Sequence, residues 1–226
     1  MPDPLPAPEI LSEVRCAEEF VEDERRLRAG VPHVRVVTLA DLAVSVGVGL
    51  RTRAPFIARA EAAGIPVVRR TSGGSGVLHL PGEIAWSVVL PRSDPRVGRD
   101  FARAYARLGH GVARFLADLG VPVDWIPSPE VAPDLCVLSG RGDVLSTNGR
   151  ILGGAAQHLA GRALLHQGMI SVRVDRPRIA ELFGLLPALL EAWLTSLEEL
   201  GVRESPPTLA AQLGHALVRD LSEPSS

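Results

Sequence analysis

The 226-residue chain contains no lysine; all 24 of its basic residues are arginine. Any chemistry that needs a lysine amine from this chain is therefore excluded. Cysteine is almost as scarce. Cys16 and Cys136 are too few for a disulfide framework and fit a reduced, cytoplasmic setting. No apolar run approaches the ~20 residues of a membrane span, and MPDPLPAPEI lacks the basic-then-apolar order of a signal peptide. An excess of either charge is missing too: a net charge of −2 gives no reason to expect nucleic acid as a partner. No spacing of histidine and cysteine resembles a zinc site, so no metal ligands are assigned.

What is present centres on VVRRTSGGSGVLHLPGEIAWSVVLP, from Val67 to Pro91. A β-branched run ends on Arg69 and Arg70. Ser72-Gly73-Gly74-Ser75-Gly76 follows, where the backbone can take positive φ and approach a ligand. Two apolar segments, read as a hairpin hinged at Pro81-Gly82, complete a pocket wall. Glycine N–H groups beside Arg69 and Arg70 suit a carboxylate or phosphate. The glycines have neither Rossmann nor P-loop spacing, and no helix follows them.

Around this segment the pattern predicts a disordered lead over residues 2–8. A helix is expected from Ile10 to about Ala29, with Ile10, Val14, Ala17 and Val21 on one face and Gly30 ending it. Val34 to Leu39 reads as a strand. Val44, Val46, Val48 and Leu50 alternate with small residues, which marks a half-buried strand that something packs against closely. Pro55 to Ala63 reads as a short helix. A long helix carries Phe101, Tyr105, Leu108, Val112, Phe115 and Leu119 on one stripe, closed by Gly120. Strands are expected over Asp143–Thr147 and Arg162–Val174, separated by a second glycine segment, NGRILGGAAQ, at Asn148–Gln157. A helix beginning at Pro187 buries Leu189, Trp193, Leu197 and Leu200, and a last one covers about 207–221. His33, His110 and His215 are expected at the surface or at caps. The class is α+β, a mixed β-sheet flanked by helices. One catalytic-type domain spans 1–226, with 1–9 disordered, 222–226 frayed and no accessory C-terminal domain.

The first glycine segment resembles the pattern R-R-x-S-G-G-G-x-V-x-H-D-x-G-N-L-x-Y-S of lipoate–protein ligases. SGRGDVLSTNGRILGGAAQ followed by ALLHQGMI is similar to that family's S-G-R-N-D-L, G-K-K-I-S-G-x-A and L-x-H-G-x-L. Octanoyltransferases and biotin protein ligases are relatives. The resemblance implies a core like that of class II tRNA synthetases and biotin ligases, with an acyl-binding tunnel. It also implies lipoate or octanoate as substrate, and ATP with Mg on the ligase route. The acceptor is a lysine of a lipoyl carrier domain or a glycine cleavage H-type protein, and an acyl carrier protein is a further partner; neither nucleic acid nor membrane is expected. Carried over by position, Arg70 holds the carboxylate or phosphate, and Ser72, Gly73, Gly74 and Ser75 line the acyl-adenylate. His79, Ser87, Asp143, Gly153, Gly154, Ala155 and His166 are the remaining substrate-binding positions.

The family lysine is missing. An ungapped alignment places Arg150 there as the catalytic cation, whereas alignment from the downstream motif places Ile151. An arginine can stabilise an oxyanion but cannot act as a base, and its fork is broader than an ammonium. Leu80 replaces the aspartate that follows the family histidine. Cys136 falls near the nucleophile position of one group of octanoyltransferases; a thiolate beside Arg150 or His166 would have a depressed pKa. Three functions remain open: an acyl ligase, an octanoyltransferase using a Cys136 thioester, and a non-catalytic acyl- or adenylate-binding protein.

Overall fold

The computed structural model describes residues 4–50, 54–97, 101–127 and 143–223. Its elements, in chain order, are β1 (Glu9–Val14), α1 (Cys16–Ala29), β2 (His33–Leu39), β3 (Ala43–Val46), α2 (Pro55–Ala62), β4 (Val67–Arg69), β5 (Gly76–His79) and β6 (Ile84–Pro91). They continue with α3 (Phe101–Asp118), β7 (Asp124–Pro127), β8 (Asp143–Thr147), β9 (Arg150–Ala160), β10 (Ala163–Ile170), α4 (Arg176–Phe183), α5 (Pro187–Trp193) and α6 (Pro206–Ser222).

Seven strands form one sheet in the order β1-β2-β6-β10-β9-β8-β7, and a small sheet has the order β4-β3-β5. β1 runs parallel to β2 and every other neighbour in the large sheet is antiparallel. Apolar side chains of β2, β6 and β10, including Val34, Val36, Trp86, Val88 and Leu164, meet α3 and α6 on one face. Each such fully buried large side chain contributes roughly 1.5–3 kcal/mol. α1 covers the other face, where Leu27 packs on Val89 and Leu165, and Cys16 on Val37 and Ala85. A second core joins the small sheet to α2, α4 and α5, with Phe56 and Phe183 stacked at 4.8 Å.

The α+β architecture agrees with the sequence pattern, with several corrections. Ile10 and Val14 belong to a strand, because Glu9 to Leu11 extend the sheet beside Arg35 to Val37. The helix therefore begins at Cys16, whose amide donates to Asp41 Oδ1 at 2.8 Å, and ends at Gly30 in the left-handed conformation. Its buried face is Cys16, Glu19, Asp23 and Leu27, while Val21 is exposed. Apolar periodicity missed this face because two carboxyls on it find partners across the interface: Glu19 takes Arg35 Nε at 2.8 Å and Asp23 bonds Ser87. His33 is likewise buried, against Arg26 and Glu9. The proline-rich lead is docked in part, since Leu5 is buried in the main core.

β5 and β6 do not form a hairpin. β5 pairs with β3 and β6 with β2, so residues 80–83 carry the chain from the small sheet to the large one. β3 ends at Val46, and Val48 is exposed. The helix from Pro187 stops at Trp193, because Leu194 is extended and bridges Ile151. Between Ile170 and Pro187 lies α4, whose eight residues are too few to make a clear apolar stripe.

Candidate active site

Residues 70–75 form the loop between β4 and β5. It lies against the end of β3: a Cβ on Gly47 would come within 2.1 Å of Gly74 O, so only glycine fits there. Gly47 N donates to Ser75 O at 3.2 Å and Val48 N to Ser72 O at 3.0 Å. Arg70, expected to receive an anion, is buried with its guanidinium turned into the loop. Nε and Nη2 donate to Gly73 O at 3.2 and 2.9 Å, Nη2 also to Ser75 O at 2.9 Å, and Nη1 to Ser45 Oγ at 2.9 Å. The side facing away is open. A Cβ on Gly73 would meet nothing within 4 Å, and Gly74 has φ 93°. The amides of Gly73 and Gly74 donate to no backbone carbonyl among the described residues. Such amides can receive an anion, with Arg70 fixing the loop's shape from behind.

Beneath the loop, His79 bonds on both ring nitrogens. Nε2 lies 2.7 Å from Ser45 Oγ, and Nδ1 lies 2.6 Å from Glu83 Oε2. The ring of Phe20, from α1, packs on the imidazole at 5.8 Å. Burial pushes the Glu83 carboxyl above the usual carboxylate range, and the adjacent His79 opposes this.

Glu83 also reaches a cavity of about 40 Å³ between the two sheets, with Leu78 of β5, Ile151 and Gly153 of β9, Met169 and Leu194 among its walls. The strand that follows the first glycine segment and the strand that carries the second thus border one space. The second segment is not a loop. Asn148 and Gly149, with φ 50° and 74°, make a two-residue turn that pairs Thr147 with Arg150, and the remainder is strand β9. Gly153 lies within that strand because a Cβ there would sit 2.2 Å from Met169 O. Ile151 is buried in the cavity wall, whereas Arg150 is half-buried and its Nη1 lies 3.7 Å from Glu199 Oε2.

Other expected positions lie elsewhere. Ser72 and Ser75 are buried in the loop. Ser87 is buried on the α1 face as the partner of Asp23. Gly154 pairs with Val144 and Met169, and Ala155 with Gly168. Asp143 opens β8 opposite Pro127, and only its backbone is described. Cys136 lies outside the described residues. His166 is fully buried on the α3 face, with its ring centroid 4.8 Å from that of Trp86 and 4.9 Å from that of Tyr105. Gln157 Nε2 lies 3.0 Å from its Nδ1. Among the described residues, His166 Nε2 and Trp86 Nε1 have no hydrogen-bond partner, and desolvation drops the imidazole pKa to about 3. Among the described residues, no group of three His, Cys, Asp or Glu is placed to hold a metal ion.

Sequence reasoning missed Ser45, Glu83, Met169 and Leu194. A serine alternating with buried valines was a signal for the first. The acid four residues after His79 was a signal for the second. Nothing local marks the others, which reach the cavity through tertiary packing.

Residues 26–213 match the family model of the lipoyl protein ligase A/B catalytic domain. The chain belongs to this family. It is 32% identical over 164 residues to octanoyltransferase LipM of Exiguobacterium sp., a match covering 68% of this chain and 59% of that protein. It is 31% identical over 117 residues to a probable lipoate-protein ligase A of Mycoplasma genitalium, covering 52% of this chain and 30% of that one. The chain thus spans less than two thirds of these relatives' lengths. In fold, it resembles lipoate-protein ligase A solved with ATP, with a TM-score of 0.72 at 19% identity over 95% of this chain and 84% of that one. A bi-partite lipoate protein ligase of Thermoplasma acidophilum, described with its E2 lipoyl domain, gives 0.71 at 18% identity over 96% and 83%. Biotin protein ligase of Aquifex aeolicus with biotin and ATP gives 0.50 at 13% identity over 97% and 70%. The biotin ligase-like mixed sheet anticipated from the motifs is therefore the fold observed.

Proposed function

We propose that this chain transfers a lipoyl or octanoyl group to a lysine of a lipoyl carrier domain, acting in the cytoplasm. The observation that carries this is the shared space between β5 and β9 in a family-typical chain. Its apolar walls of Leu78, Ile151, Met169 and Leu194 suit part of an acyl tail, and a full tail requires those side chains to move apart. The amides of Gly73 and Gly74 then face the acyl head group, and Ser72, Ser75 and Arg70 keep the loop in shape. Gly153, Gly154 and Ala155 provide a backbone surface with little side-chain bulk.

Two donors are compatible with this transfer. On the ligase route, ATP with Mg is co-substrate, lipoate or octanoate is adenylated, and Arg150 is the available cation near the start of β9. The other donor is an octanoyl thioester on an acyl carrier protein. Here the Cys136 thiolate attacks the thioester carbonyl, the carrier thiol leaves with a proton, and octanoyl-Cys136 forms. The acceptor lysine amine then attacks that carbonyl, releasing the Cys136 thiolate and one proton. The absence of lysine from the chain and the position of Ile151 in the cavity wall favour this second route, as does the likeness to octanoyltransferase LipM.

The test supplies an unmodified lipoyl domain, or a glycine cleavage H-type protein, with either donor and reads acyl-lysine by intact mass. Acylation from lipoate and ATP supports the ligase route. Acylation from octanoyl carrier protein, with a hydroxylamine-labile adduct lost in Cys136→Ala, supports the thioester route. Acylation by neither donor overturns the proposed transfer.

A further inference from the structure

Arg70, Ser45, His79 and Glu83 are buried to between 0 and 4% exposure, so water does not substitute for any bond among them. Their contacts form one chain: Arg70 Nη1 to Ser45 Oγ at 2.9 Å, Ser45 Oγ to His79 Nε2 at 2.7 Å, and His79 Nδ1 to Glu83 Oε2 at 2.6 Å. The donors and acceptors fix its direction. Arginine has only donors, so Ser45 Oγ accepts from it. The Ser45 proton is then free for His79 Nε2, which makes Nδ1 the protonated nitrogen, donating to Glu83 Oε2. Every proton in that order has an acceptor, with the Arg70 guanidinium at one end and the Glu83 carboxyl at the other. In the reverse order, Ser45 Oγ would accept from both Arg70 and His79, and its own proton would lack a partner on this chain.

We propose that Glu83 is a positioning residue: through His79 and Ser45 it orients the Arg70 guanidinium, which shapes the Gly73-Gly74 loop. Arg70 links the chain to the loop because it also binds Gly73 O and Ser75 O. Glu83 links it to the cavity, whose wall it forms in part. The state of this acid is thereby transmitted from the cavity to the amides facing the acyl head group. Leu80, the residue beside His79, has no polar atom with which to supply such an anchor. The functional part of this inference rests on the acyl-transfer reading; the structural part does not.

Long-range ¹H–¹⁵N spectra of the full chain and of Glu83→Gln test it. The wild-type His79 ring is expected to carry its proton on Nδ1. In Glu83→Gln, the amide oxygen can still accept the Nδ1 proton but is a weaker acceptor, so the Nδ1 proton resonance moves upfield and the Gly73 and Gly74 amide resonances shift. Ser45→Ala cuts the chain elsewhere; it should shift the same two amides while His79 keeps its Nδ1 proton, and it serves if Glu83→Gln does not fold. A wild-type proton on Nε2, or loop amides unmoved in a folded variant, overturns the proposal. Where acyl transfer is measurable, Glu83→Gln is expected to lower kcat/KM about tenfold. Because the spectra need no activity, a failed relay and a failed acyl-transfer reading are distinguishable.

Discussion

The guanidinium of Arg150 lies 3.7 Å from the Glu199 carboxylate, which Arg176 already holds through both oxygens at 2.5 and 2.7 Å. Arg150 is thus the outer member of a partly exposed cluster. Such pairs contribute about 0–1 kcal/mol. Arg150→Ala should therefore shift the denaturant midpoint only slightly and leave acyl transfer within about threefold. A loss of a hundredfold or more would reinstate Arg150 as the cation at the reacting carbonyl. Arg176→Ala should cost more, because Arg176 also donates to Leu194 O at 2.8 Å and so supports the residue that bridges Ile151 at the cavity. Urea titrations of the two variants provide the comparison.

The two glycine segments separate stability from function. Gly153→Ala sets a methyl group against the Met169 carbonyl inside the sheet, where neither strand can yield easily. A loss of about 2–4 kcal/mol is expected, in the range of severe overpacking. Gly73→Ala meets open space and should alter stability by less than about 0.5 kcal/mol. It places a methyl group on the open side of the loop, so acyl transfer should fall while the unfolding curve stays put. Destabilisation by Gly73→Ala would mean that the loop's outer side is a packed surface.

These contrasts also show what was legible in the residues. Strands β2 and β8, α2 with its Pro55 start, and the stripe of α3 follow from local periodicity and end signals. The first glycine loop is local as well, since its turn conformation resides in its own residues. The inward face of α1 was hidden because Glu19 and Asp23 look solvated until Arg35 and Ser87 arrive from distant strands. Gly153 read as part of a segment between strands because a close approach by a neighbouring strand leaves the same mark in a sequence as a positive φ. Arg70 was expected to face a ligand, since local sequence does not reveal that Ser45 and the loop carbonyls claim its donors.

Acid should weaken the fold through His166. Burial lowers its pKa from the ordinary value near 6.5 to about 3, so the folded state refuses a proton that the unfolded state accepts. The folded pKa being depressed, this contribution is complete above the unfolded pKa. It is lost as pH falls toward 3, at about 1.4 kcal/mol per pH unit. His166→Gln removes the titration while keeping a polar group beside Gln157. Urea unfolding between pH 4 and 6.5 should show acidification acting less favourably on the wild type than on the variant, by up to about 1.4 kcal/mol per pH unit. Equal slopes would mean that the Trp86–Tyr105 pocket admits a charged imidazole.

Asp23 should act in the opposite sense over part of that range. It is buried, one helical turn from Glu19, and among the described residues its Oδ1 has no hydrogen-bond partner; its pKa lies well above the usual value. Desolvation is the main cause and the Glu19 charge adds to it, against the Ser87 hydrogen bond and Arg35. A raised folded pKa means stability that is complete below the unfolded pKa, about 3.9, and lost as pH rises through the folded value. Asn at this position mimics the protonated acid and can retain the Ser87 contact. Asp23→Asn should therefore match the wild type near pH 4 and exceed it progressively at higher pH, by about 1.4 kcal/mol per unit until the folded carboxyl ionises. Above pH 4, until the folded Asp23 carboxyl ionises, the Asp23 and His166 contributions oppose each other, so the wild-type profile there is flatter than either group alone would make it. Each single variant unmasks the remaining group, Asp23→Asn steepening the acid loss and His166→Gln reversing it. Asn weakening the fold equally at every pH would instead mean that Asp23 is ionised and shares Arg35 with Glu19.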